Sequence, residues 1–119
     1  MIKDLLLVGA GSCLGGMARY LIALFVKSSD FPWATMTANI VGCLLIGMLW
    51  AGLQRLSAPV QLNLFLVTGF CGGFTTFSTF SKESLALLQS GCYQSFCLYA
   101  LGSVILGISA VFVGFFIMK

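Results

Sequence analysis

Four apolar runs, Leu5–Val26, Trp33–Leu53, Leu62–Leu88 and Phe96–Met118, take up most of this 119-residue chain. Each reaches the roughly 20 residues that a helix needs to cross a bilayer. In lipid a backbone must satisfy its own hydrogen bonds, which confines runs of this length to helices. The expected fold is therefore an all-α membrane protein with four transmembrane helices in a single domain over residues 1–119. The chain is 60% hydrophobic and 8% charged, with a mean hydropathy of +1.08, so little mass is left outside the membrane. Lys3 followed by Leu5-Leu6-Leu7-Val8 resembles the opening of a secretory leader. The apolar run continues well past the ~7–15 residues of a leader core, so it is read as the first span.

The third run holds an exception. Thr68-Gly69-Phe70-Cys71-Gly72-Gly73-Phe74-Thr75-Thr76-Phe77-Ser78-Thr79-Phe80-Ser81 packs three glycines and six hydroxyl residues into fourteen positions. This is poor material for a lipid-facing helix. Backbone that leaves the helix at membrane depth persists only where protein or a water-filled cavity satisfies its N–H and C=O groups. The third helix is accordingly expected to break at the midplane, near residues 69–76. Beyond the break Phe74, Phe77 and Phe80 recur every third residue and share one helical face, with hydroxyl residues between them.

Six Lys and Arg against three Asp and Glu give a net charge of +3, too dispersed for a nucleic-acid surface. With four spans both termini lie on one side, so Lys3, Arg55 and Lys119 fall there and Lys27 and Lys82 fall toward the other. Loop Lys and Arg set orientation. So even a division permits insertion both ways round and an antiparallel, dual-topology homodimer. The competing reading is that each short loop carries one stray anchor. Cys13, Cys43, Cys71, Cys92 and Cys97 lack paired metal-ligand spacing and read as small packing residues. Without His an imidazole relay is excluded, and no triad, P-loop or EF-hand pattern occurs, so no enzyme is expected.

Within the spans the polar outliers are few. Gly11-x-x-x-Gly15 and Ala38-x-x-x-Gly42 have the small-residue spacing that lets helix backbones approach. Arg19 precedes Val26 by seven residues, which places it about 10 Å inside its helix end. An isolated guanidinium there costs about 2.5 kcal/mol or more. Either Arg19 lines a polar vestibule and bonds carbonyls near a helix break, or it snorkels beside Tyr20. Asn39 is either an interhelical hydrogen bond or a donor aimed into a pore. In the fourth run Tyr99, Ser103 and Gly107 follow one another at helical-turn spacing, a track of hydroxyls and small residues that equally suits close packing. Glu83 is the one carboxylate that the fold has a chance of drawing inward, beside Lys82.

Amide N–H, Ser and Thr O–H and the positive rims of Phe rings suit a small, strongly hydrated anion. A cation pore calls for rings of carbonyls or carboxylates, and the spans supply no acidic ring. Two carbonyls freed at the break, doubled by a two-fold partner, provide four oxygen ligands for a hard monovalent cation at the dimer centre. A fixed cation would favour anions nearby.

Residues 69–81, with Gly15-Gly16-Met17-Ala18-Arg19-Tyr20 and Thr37-Ala38-Asn39-Ile40-Val41-Gly42, resemble the three ordered motifs of the Fluc (CrcB-type) fluoride channel family. The similarity runs over essentially the whole chain. It implies an antiparallel homodimer in a bacterial cytoplasmic (inner) membrane, with two pores that let fluoride leak from the cell. Residue by residue, Phe77 and Phe80 match the family's pore phenylalanines, Asn39 its pore asparagine and Arg19 its vestibule arginine. Gly72 and Thr75 match positions whose backbone carbonyls hold a central structural sodium ion. Tyr99 and Ser103 correspond to the fourth-span polar track, and Thr79 to the third-span part of it. Phe74 stands where the family often has an aliphatic residue, and Gly107 where a second hydroxyl is expected. The strongest rival is a small multidrug-resistance exporter, also of four spans and dual topology. Its proton coupling wants a carboxylate deep in the first span, where this chain has only Asp4 at the edge.

Overall fold

Pro32 and Pro59 set the starts of the second and third spans, because a residue without an N–H costs nothing where a helix has no acceptor to offer. The structure, a computed structural model, describes residues 1–119. It is all helical: α1 is Ile2–Phe25, α2 is Trp33–Arg55, α3 covers residues 60–74, α4 is Phe77–Gln89 and α5 is Tyr93–Met118. Before α2 the Ser28 hydroxyl accepts the Ala34 N–H at 3.1 Å, closing the polar turn onto the new helix. After α4, Gly91 takes φ 76°, and the Gly91 and Cys92 N–H groups bond the Leu88 and Leu87 carbonyls. A left-handed residue at this position ends the helix cleanly, and glycine adopts it without a Cβ clash.

Four helical segments are long and apolar enough to cross a membrane: Ile2–Phe25, Trp33–Arg55, Val60–Gln89 and Tyr93–Met118. The longest dimension of the molecule is 48 Å, against a hydrocarbon core of about 30 Å. Only 17 of 119 residues are buried, and Leu6, Leu24, Phe112 and Ile117 all face outward. An exterior so apolar is matched to lipid, and the chain is a multi-pass membrane protein.

The helices pack as two pairs, α1 on α3 and α2 on α5. Buried Gly11 and Gly15 put the backbone of α1 directly against that of α3, as their spacing predicts. A Cβ on Gly15 would overlap the Phe70 carbonyl, and one on Gly114 of α5 would overlap the Leu44 carbonyl of α2. α4 closes over the second pair through a small cluster of Met36, Leu87 and fully buried Tyr99, with Phe31, Ile40, Phe80 and Phe96 against it.

The third span is irregular along its length. Residues Val60–Asn63 are α-helical, Leu64–Cys71 wind in wider turns, and Gly72–Phe74 complete a last α-turn. Such i to i+5 turns are uncommon and cluster at functional sites. Thr75 (φ −89°, ψ 157°) and Thr76 (φ −149°, ψ 116°) are then fully extended before α4 begins. Gly69, Gly72 and Gly73 therefore remain helical, and the departure falls on the two threonines that follow them. The reason is tertiary. A Cβ at Gly73 would run into the Ser12 backbone and one at Gly69 would crowd Gly11, so these two glycines serve the crossing with α1 rather than the break itself.

Candidate functional site

Three side chains from two other helices hold the extended pair and the turn before it. Asn39 of α2 grips Thr76 from both ends: its Oδ1 accepts the Thr76 N–H at 2.8 Å, and its Nδ2 donates to the Thr76 carbonyl at 3.1 Å. The Arg19 Nε donates to the Gly73 carbonyl at 3.2 Å, and the Ser12 Oγ to the Gly69 carbonyl at 3.3 Å. The Asn39 and Arg19 bonds take up backbone groups that lose their helical partners, which removes a cost of about 1–3 kcal/mol for each group left unpaired, while the Ser12 bond adds to one that the Gly69 carbonyl already accepts from the Gly72 N–H. An amide has two N–H donors. Asn39 thus spends one on Thr76 and keeps the other.

Thr76 then restarts the helix. Its hydroxyl accepts the Thr79 N–H at 3.2 Å and lies 3.1 Å from Thr79 Oγ1 and 3.3 Å from Ser78 Oγ. Thr three residues ahead of the bonded N–H is an ordinary N-cap arrangement. Thr75 turns its own hydroxyl back to the Cys71 carbonyl at 2.8 Å. The hydrogen bonds at the interruption leave the Gly72 and Thr75 carbonyls without an N–H donor.

Apart from Tyr99, the residues singled out from sequence divide between two cavities that share Thr76 in their walls. The first, of about 450 Å³, is lined by Asn39, Gly72, Thr75, Phe77, Phe80 and Ser103, with Thr76, Cys43 and Cys71 among their neighbours. No residue of its wall bears a formal charge. The Phe77 and Phe80 rings lie 5.9 Å apart at 42°, and Phe77 is 79% exposed. Ser103 contributes a hydroxyl oxygen that is shut off from solvent and has no hydrogen-bond partner. The second cavity, of about 550 Å³, is lined by Arg19, Tyr20, Thr35, Thr76, Thr79 and Glu83, among others. Its wall carries two charged side chains, Arg19 and Glu83.

Tyr99 lines neither cavity. It is fully buried, packs its ring 5.0 Å from that of Phe80, and donates its hydroxyl to Glu83 Oε1 at 2.9 Å. Tyr99 therefore links the aromatic pair of the first cavity to the carboxylate of the second. Three participants were not singled out as site residues from sequence: Thr76, which lines both cavities, Ser12 and Glu83. Thr76 had a local signal in its spacing from Thr79. Ser12 had none, and the pull on Glu83 comes from a hydroxyl sixteen residues away.

A family model described as "CrcB-like protein, Camphor Resistance (CrcB)" matches residues 6–115, which takes in every element of this site. The chain belongs to that family. CrcB-like relatives align over nearly their full length. A protein of Phocaeicola vulgatus named "Fluoride-specific ion channel FluC" is 47% identical over 116 residues, covering 95% of this chain and 96% of that one. One of the same name from Prosthecochloris aestuarii is 47% identical over 112 residues, covering 92% and 88%. Another from Bacteroides fragilis is 40% identical over 119 residues, covering 95% and 94%.

Proposed function

We propose that this protein is a fluoride-selective channel, not an enzyme, which lowers cytoplasmic fluoride by passive efflux. The observation that supports this most directly is the first cavity, an uncharged chamber whose polar groups are an amide, hydroxyls and ring edges, in a chain nearly half identical to proteins named for fluoride conduction. Fluoride gives up water only where donors replace it, and neutral donors do so without trapping the ion. In our reading the ion passes Arg19 and Thr79 in the vestibule, then Asn39, Phe77, Phe80 and Ser103. Tyr99 completes the path by orienting Phe80 and Glu83. A proton-coupled exporter is disfavoured because α1 has no acidic residue beyond Asp4 in its first turn.

The working unit is an antiparallel, dual-topology homodimer in the bacterial cytoplasmic membrane, with two pores. Support comes from what one protomer leaves open. Gly72 and Phe77 are exposed beside a break in the helix, and free carbonyls at membrane depth are tolerated only against protein or water. A second copy across that face covers both. Single-cysteine tags at a terminus are expected to react with an impermeant maleimide from both sides of the membrane in near-equal amounts. One-sided labelling would refute the dual topology.

A structural sodium ion fits the same seam. The Gly72 and Thr75 carbonyls are hard oxygen donors left without N–H partners, and ions of this class are held by rings of such carbonyls. These two residues from each protomer would hold it. When bound, it supplies a fixed positive charge that favours an anion in the neighbouring cavities. The deciding experiment is fluoride efflux from proteoliposomes carrying the purified protein. Rapid efflux without a proton gradient is expected. Efflux no faster than from empty liposomes, or dependent on a proton gradient, would overturn the channel reading.

A further inference from the structure

The turn that leads into α2 is stiff, and it carries an aromatic ring inward. Phe31 precedes Pro32, and a proline keeps the residue before it out of helical backbone. The Phe31 carbonyl accepts the Trp33 N–H at 2.9 Å, and the Ser28 hydroxyl closes the same turn on the Ala34 N–H. From this fixed point the Phe31 ring meets two others. It lies 4.5 Å from the Trp33 ring at 42°, and 5.5 Å from the Tyr99 ring at 83°, edge to face. Tyr99 is 5.0 Å from Phe80, and Phe80 is 5.9 Å from Phe77. Five rings thus follow one another from Trp33, half exposed at the start of α2, to Phe77 in the wall of the first cavity. Tryptophan favours the membrane–water interface, so the row is anchored at its outer end.

Tyr99 is the middle ring. Its hydroxyl lies on the axis about which the ring turns, so the bond to Glu83 fixes where the ring ends but not how its plane is set. The plane is set by the rings packed on it, since aromatic pairs favour particular tilts. We propose that Phe31 is a positioning residue of the fluoride path: it holds the plane of Tyr99, and through Tyr99 the Phe80 ring that lines the first cavity. Phe31 itself lines neither cavity, so it acts on the ion only through its neighbours. The turn before α2 thereby governs the aromatic geometry of the pore. This rests on the channel reading above, and its test separates the two.

Fluoride efflux is measured from proteoliposomes of the full chain. Phe31→Leu keeps an apolar side chain but removes the ring, and a fall of about fivefold is expected, the scale of one edge-to-face pair. Phe31→Tyr puts the ring back and should restore efflux. In Phe80→Ile, where the ring that Phe31 governs is gone, Phe31→Leu should change efflux by less than about twofold, because only independent sites contribute additively in free energy. A full loss in both backgrounds, no loss in either, or a loss that Phe31→Tyr does not recover would overturn the assignment. A second measurement needs no ion flow. With Tyr20 and Tyr93 replaced by Phe, Tyr99 is the one tyrosine left, and it is isotope-labelled at its two ring Cε carbons for NMR in detergent. A ring held in one plane gives two Cε signals, and a ring that turns freely gives one average. Two signals are expected, merging into one in Phe31→Leu. A single signal while Phe31 is present, or two signals without it, would overturn the assignment. Wild-type protein that conducts no fluoride strikes the channel reading, while the Tyr99 signals still decide what Phe31 holds.

Discussion

Replacing Phe80 by Ile is expected to lower fluoride efflux from proteoliposomes at least tenfold while the protein still assembles. The Phe80 ring lies between two others, 5.9 Å from Phe77 and 5.0 Å from Tyr99, tilted to each. It lines the first cavity and packs on the tyrosine that holds Glu83. Isoleucine is close in hydrophobicity but has no quadrupole, so it removes the positive rim without opening the wall to water. Aromatic pair geometry is worth about 0.5–1.5 kcal/mol beyond burial, and about 1.4 kcal/mol in a barrier is a factor of ten. Phe77→Ile should act in the same direction. Phe77 has less packing to lose, being largely exposed in one protomer. A fall in flux at that position with unchanged size-exclusion behaviour would therefore isolate the ring-edge contribution from packing. Normal efflux in both variants would remove aromatic edges from the mechanism.

Much of this architecture was legible in the residues, and the part that was not has a common cause. Hydropathy alone located four spans, because lipid imposes one solution on every long apolar run. The Gly11 and Gly15 face was equally plain, since a small-residue stripe has few other uses in a membrane helix. The interruption was legible as an irregularity near residues 69–76, and the two extended residues stand at the end of that stretch; what was not legible is which residues leave the helix. Glycines suggested themselves as breakers, yet Gly69 and Gly73 are packed on α1 and stay helical, while Thr75 and Thr76 extend. The one local signal is the cap that Thr76 makes for Thr79, which restarts a helix without fixing where the previous one ends. What holds the pair there is Asn39, thirty-seven residues away, and Arg19 on the turn before. Long-range partners are invisible to periodicity. For the same reason Asn39 read as either packing or pore donor; in the structure its Oδ1 and one N–H both bond Thr76, and the same side chain also lines the first cavity. The wide turns over Leu64–Cys71, on the part of α3 that packs on α1, likewise had no signal in composition.

That double duty makes Asn39→Asp the most damaging single change we expect. The substitution keeps Oδ1 to accept the Thr76 N–H, but it turns the Nδ2 donor, now 3.1 Å from the Thr76 carbonyl, into a second oxygen facing an oxygen. The grip on the extended pair is halved, and a negative charge replaces the neutral donor in the cavity wall. An anion passing about 4 Å from that carboxylate meets about 4 kcal/mol of repulsion at an effective dielectric near 20. By the usual conversion of about 1.4 kcal/mol per decade, efflux should drop roughly a thousandfold, below ordinary detection. Asn39→Ala separates the two effects, since it loses both bonds to Thr76 but adds no charge. If Asp blocks far more strongly than Ala at comparable thermal stability, the donor faces the ion. Equal losses in the two variants, together with lowered stability, would assign Asn39 to holding the interruption alone. Unaltered efflux in Asn39→Asp would mean that fluoride does not pass this cavity.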